Sequence, residues 1–156
     1  MTLEIGDTAP AFALPAAPGE TVDVGALFGR EKVVLLFFPL AFSRVCTSEL
    51  CAVRDQWTRW HDLGTRVFAI SVDSPFVTAR FRAEQELPFP VLSDFDKQTS
   101  RAYGVLYEEF FGLHGVAKRS AFVVGRDGKV AYRWVSEDSG VEPDYDALRD
   151  AVGRAP

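Results

Sequence analysis

The run Val33-Val-Leu-Leu-Phe-Phe38 constrains this chain more than any other stretch. Consecutive apolar residues rich in β-formers leave no polar face, so a strand made of them must be covered on both sides. Extended to Phe42, the run still falls far short of the ~20 residues that cross a bilayer. Arg66-Val-Phe-Ala-Ile-Ser-Val72 and Phe89-Pro-Val-Leu92 read as strands of the same kind, the second interrupted by Pro90. Ser120-Ala-Phe-Val-Val124 and Lys129-Val-Ala-Tyr-Arg-Trp-Val135 flank Gly125-Arg-Asp-Gly128, a hairpin whose turn is the Asp-Gly pair.

Helical patterns alternate with these strands. From Val45 to Leu63, the residues Cys46, Leu50, Val53, Trp57 and Trp60 recur at spacings of three or four and form one apolar stripe. Ser74 is placed to cap a second helix with Pro75 in its first turn. Asp96 to Tyr103 and Asp144 to Val152 are shorter candidates. This alternation predicts an α/β fold: a central mixed sheet, parallel in its core with an antiparallel edge, and helices on both faces. With 156 residues, 47% of them hydrophobic, and no low-complexity linker, the expectation is a single domain over residues 1–156.

Charge narrows the function. The net charge is −5 and no dense Lys/Arg cluster occurs, which argues against nucleic-acid and anionic-membrane binding. The opening MTLEIGDTAPAF lacks a positive segment followed by an apolar one, so the expected location is the cytoplasm. In a reducing compartment a close pair of cysteines is more often catalytic or metal-binding than structural.

The chemistry concentrates between Phe37 and Cys51. There a buried strand passes through a proline-broken turn into a helix whose first turn holds Cys46. Ligands of α/β sheets bind at the carboxyl ends of strands, and a thiol at a helix N-terminus faces unpaired N–H groups and the positive end of the dipole. A free thiol with a pKa of ~8.5 is only a few per cent ionised at neutral pH. Bringing such a value to ~6 takes roughly 3 kcal/mol, of which a helix end supplies ~1 kcal/mol. An arginine should therefore reach Cys46.

Pro39-x-x-x-Ser43-x-x-Cys46 resembles the active-site motif of the peroxiredoxins, Pro-x-x-x-Thr/Ser-x-x-Cys. Cys46-Thr-Ser-Glu-Leu-Cys51-Ala-Val-Arg-Asp55 is similar to the corresponding stretch of the bacterioferritin-comigratory (PrxQ-type) group, and Phe-Phe-Pro-Leu-Ala-Phe to that of the one-cysteine alkyl hydroperoxide reductase E group. Gly6 to Phe12 resembles the family's opening, and Ala102-Tyr-Gly-Val105 and Lys118 to Val124 match its later landmarks in the right order, with Arg119 where the family keeps its active-site arginine.

The resemblance implies a thioredoxin-like fold and a peroxidase that reduces hydrogen peroxide or organic hydroperoxides without a cofactor. Cys46 would attack the peroxide and become a sulfenic acid. Ser43 and Arg119 would hold the thiolate, Pro39 would shield it, and Glu49 would buttress the arginine. Cys51 would resolve the sulfenic acid to a disulfide, reduced by a thioredoxin- or glutaredoxin-like donor; the chain would be a monomer or homodimer. Two departures stand out: Ser43 replaces the commoner Thr, and Arg44 stands where the PrxQ-type group usually has Pro.

Other readings predict different things. A disulfide oxidoreductase calls for Cys-x-x-Cys, whereas the spacing is Cys-x4-Cys. A peroxide sensor, or a one-cysteine peroxidase resolved by an external thiol, would use the same Cys46. His61 and His114 lack partners at metal-ligand spacing, so no metal site is expected. Phe110 and Phe111 read as a satellite core, with a dimer contact or a pocket wall as the alternative.

Overall fold

The computed structural model describes residues 3–156. The first regular element is one the sequence pattern does not reveal: an antiparallel hairpin of β1 (Ala13–Ala17) and β2 (Glu20–Asp23). Pro15 and Pro18 obscure its strand signal, and Gly19 takes the left-handed conformation that its turn needs, at φ +77°.

The apolar run forms β3 (Lys32–Phe37), buried at every position. Then come α1 (Arg44–Asp55), α2 (Trp57–Asp62), β4 (Thr65–Ser71), α3 (Pro75–Glu84), β5 (Val91–Ser93), α4 (Gln98–Ala102), β6 (Ser120–Val124), β7 (Val130–Val135) and α5 (Tyr145–Arg154). Ser74 caps α3 by accepting from the Val77 N–H, and Asp144 caps α5 through Ala147.

The main sheet runs β5-β4-β3-β6-β7. On one side of β3 the pairing is parallel to β4 and onward to β5; on the other, β6 and β7 run antiparallel. The sheet is mixed, as expected, with the change of direction at its centre. Side chains alternate across it. Val34, Leu36, Val67, Ala69, Ala121 and Val123 face Leu50, Val53, Trp60, Leu148 and Val152 from α1, α2 and α5. Val33, Leu35, Phe37, Phe68 and Phe122 face the other way, toward Val24, Tyr103 just after α4, and the β1–β2 hairpin.

The single helix expected from Val45 to Leu63 is two. Gln56, at φ −115° and ψ 26°, interrupts it. Beyond the break Trp60 is fully buried, while Trp57 stays half-buried against Phe89. Neither Gly nor Pro marks the break, so the sequence carried no local signal for it. No helix among the described residues is long and apolar enough to cross a membrane.

Candidate active site

Register brings the site together. Antiparallel pairing sets Ser120, the first residue of β6, opposite Phe37, the last of β3. The residue before β6 therefore arrives beside the chain leaving β3. That residue is Arg119, and the leaving chain runs through the buried Pro39 into α1.

The turn between β3 and α1 is tied down from outside. Asp73 accepts a 2.7 Å bond from the Ala41 N–H and another from the Ser71 hydroxyl. Phe42 is left-handed, at φ +69°. Ser43 stands before the helix with φ −73° and ψ 151°, and its carbonyl accepts the Thr47 N–H at 2.9 Å. Its side chain makes no capping bond, which leaves the first-turn N–H groups without a side-chain partner.

Cys46 lies in that first turn, fully buried. Arg119, only 1% exposed, spends its whole guanidinium here. Nη2 donates to Cys46 Sγ at 3.0 Å, Nη1 to Glu49 Oε1 at 2.6 Å, and Nε to the Ser139 carbonyl at 2.9 Å. Glu49 is one helical turn from Cys46, so the two share a face and one fork can hold both. Burial works against the Arg119 charge, and Glu49 and Cys46 outweigh it. The expected arginine is present, and it reaches the sulfur.

Glu49 carries the cost of this arrangement. Burial, opposed by Arg119 and helped by the nearby Glu142, leaves its carboxyl pushed up to about 7. Oε2 of Glu49 has no hydrogen-bond partner among the described residues. Glu142 itself is held by Tyr145 and by the Ser48 hydroxyl.

Other predicted residues fall elsewhere. The Ser43 hydroxyl donates to the Leu40 carbonyl at 2.8 Å rather than to Cys46 Sγ, because the extended Ser43 backbone keeps it on the turn. Arg44 is exposed. Cys51 is half-buried outside the core cluster that contains Cys46, with its Sγ 3.5 Å from Gln85 Oε1 at the end of α3. Both thiols are free. Phe110 joins a satellite cluster of Val72, Tyr107, Val116 and Leu40, whereas Phe111 is 89% exposed.

Three contributors escaped the sequence reading: Asp73, Gln85 and the Ser139 carbonyl. Each acts through tertiary proximity, and a backbone carbonyl has no signature in sequence. A cavity of about 710 Å³ lined by Phe12, Phe76, Phe95 and Tyr103 does not include Cys46. His61 and His114 are exposed, and among the described residues no group of three His, Cys, Asp or Glu side chains could hold a metal.

The sequence matches the AhpC/TSA family over residues 5–133. It is 35% identical to peroxiredoxin Bcp of Escherichia coli (strain K12) over 136 residues, covering 83% of this chain and 84% of that protein. Among solved structures it is similar to peroxidoxin BcpB of Mycobacterium tuberculosis, with a TM-score of 0.84 and 29% identity, over 96% of both chains. Mycobacterium tuberculosis AhpC superimposes with a TM-score of 0.81 and 27% identity, over 97% of this chain and 92% of that one.

Proposed function

The chain belongs to the AhpC/TSA family, with the thioredoxin-like fold and thiol-dependent peroxidase activity of a peroxiredoxin, and we propose that Cys46 is its attacking thiolate and Cys51 its resolving thiol. The observation that carries the first assignment is the 3.0 Å contact between the buried Arg119 Nη2 and Cys46 Sγ at the start of α1.

Cys46 thiolate attacks one oxygen of the hydroperoxide. The S–O bond forms as the O–O bond breaks, the hydroperoxide proton passes to the departing oxygen, which leaves as an alcohol or water, and a proton from solvent converts the sulfenate left on Cys46 to a neutral sulfenic acid. Arg119 and the uncapped N–H groups of the first turn stabilise charge on the separating oxygens. Ser43 supports the turn through Leu40. Pro39, buried at the exit of β3, keeps bulk water from the sulfur.

Resolution requires the helix to open. Positions five apart on an intact α-helix are turned by ~140° with Cα atoms roughly 8–9 Å apart, whereas a disulfide needs Cα atoms within ~7 Å. Thr47 to Leu50 therefore unwind before Cys46 and Cys51 can join. A thioredoxin- or glutaredoxin-like dithiol then reduces the disulfide.

Cys46→Ser tests the first assignment. Peroxide consumption in a coupled thioredoxin assay is expected to vanish, since a serine hydroxyl does not ionise near neutrality. Substantial turnover in that variant would refute it. The contact of Cys51 with Gln85, away from Cys46, favours a second reading in which an external thiol resolves the sulfenic acid. Full turnover by Cys51→Ser with the same donor would select it.

A further inference from the structure

Cys51 does not stand alone on its face of α1. Arg54 follows it by three positions, the spacing that places two side chains side by side on a helix. Its Nη1 donates at 2.7 Å to the carbonyl of Gln85, the same residue whose side chain meets Cys51 Sγ at 3.5 Å. Gln85 is the C-terminal cap of α3, so that carbonyl lies at the negative end of a helix and gains from a cation. The guanidinium is one-third exposed and also holds Asp55 through Nε at 2.9 Å. The carboxylates of Asp55 and Glu86 lie near the Arg54 charge and raise its pKa.

We infer that Arg54 is the positioning residue of the resolving step: it pins Cys51 and the distal half of α1 to the end of α3. The inference rests on the reading of Cys51 as the resolving thiol. Oxidation of Cys46 replaces a thiolate by a neutral sulfenic acid and so weakens the hold of Arg119 on that sulfur. It leaves the tie between Arg54 and Gln85 untouched. The turn that carries Cys46 is the mobile partner, and Cys51 is its fixed target.

The chemistry balances within the pair. Cys51 thiolate attacks the sulfenic sulfur of Cys46; the S–S bond forms and the S–O bond breaks. Hydroxide departs and takes up a proton equal to the one Cys51 released, giving water. Cys51 is oxidised and the sulfenic sulfur reduced, with no further reagent. The rate of this step depends on how often the attacking sulfur and the sulfenic sulfur come within bonding distance, which is what a fixed Cys51 governs.

The test separates the two phases. Protein is mixed with one equivalent of hydrogen peroxide, quenched with an alkylating reagent over time, and resolved by mass spectrometry into sulfenic acid and disulfide. In Arg54→Gln the disulfide is expected to form roughly tenfold more slowly than in the wild type. Sulfenic acid formation keeps its wild-type rate, and Arg54→Lys, which keeps a donor for the Gln85 carbonyl, recovers most of the disulfide rate, a split between the two phases that a purely structural role would not give. A wild-type rate of disulfide formation in Arg54→Gln overturns the inference, as does equal slowing of both phases. If the wild type yields sulfenic acid and no disulfide, and Cys51→Ser turns over fully, the reading of Cys51 fails and takes this inference with it.

Discussion

Cys46 and Cys51 sit five residues apart on one helix and occupy opposite surroundings. Cys46 is fully buried in the core layer, with Arg119 on its sulfur and Glu49 behind the arginine. Cys51 is half-buried and meets a glutamine side chain at the end of a neighbouring helix, with a partly exposed arginine alongside. The helix contributes rotation alone: each residue turns by ~100°, so a short interval carries a side chain from core to rim. What distinguishes the thiols is the tertiary structure each face meets. One faces the entrance of β6 and a buried ion pair; the other faces the Gln85 side chain at the end of α3.

Removing the charge from the buried side should shrink the contrast most. Arg119→Ala is expected to slow Cys46 oxidation at least ~10-fold, since each ~1.4 kcal/mol of lost transition-state stabilisation is one decade. Its pH–rate profile should shift upward in stopped-flow measurements. The substitution also leaves Glu49 buried without its partner, at a stability cost on the order of 3–5 kcal/mol, so Arg119→Lys, which retains a cation, is the companion variant. Wild-type kinetics in both would mean that the two surroundings do not differ in the way their geometry suggests.

A second prediction sharpens the contrast in dynamics. After one equivalent of peroxide, amides of residues 44–50 should exchange with solvent faster than in the reduced protein, while those of residues 52–55, held through Arg54, keep most of their protection. Uniform acceleration along α1 would show that both thiols move.

A third prediction is thermodynamic. Glu49 titrates at about 7 in the fold, above its ordinary 4.5, because it is buried. The folded state thus binds a proton more tightly than the unfolded chain. The stabilisation this confers is fully present below the unfolded value and is lost as pH rises through the folded one. Relative to Glu49→Gln, which cannot titrate, the wild type should lose stability between about pH 4.5 and 7, by about 3 kcal/mol at most. Thermal melts of both proteins at pH 5 and pH 8 measure it. Parallel pH dependences would assign the titration to another group.

How legible this was in sequence depended on range. The buried β3, the β6–β7 hairpin and the Ser74 and Asp144 caps announce themselves through local pattern, and the structure has them within a residue or two. Pro90 shortened β5 to Val91–Ser93, and the prolines around β1 hid that strand. At the site, Cys46, Glu49 and Arg119 were legible because the chemistry of a stabilised thiolate demands a cation and the resemblance supplied one. Ser43 was assigned to the sulfur, yet a hydroxyl can turn to whichever acceptor is nearest, here the Leu40 carbonyl. Asp73 and Gln85 had no signal at all, since their roles exist only once the turn after β3 and the end of α3 are in place.

The interruption at Gln56 has a consequence in the statistical mechanics of helices. Melting is cooperative because every residue released weakens the bonds of those that follow, so a continuous helix from Arg44 to Asp62 would tend to transmit an opening at one end toward the other. A junction in a non-helical conformation divides that sequence into two cooperative units. The second, with Trp60 locked in the core, must nucleate and melt on its own account. In the proposed resolving step, the fluctuation that joins the two sulfurs is thereby confined to the unit that carries them, and α2 is spared from participating.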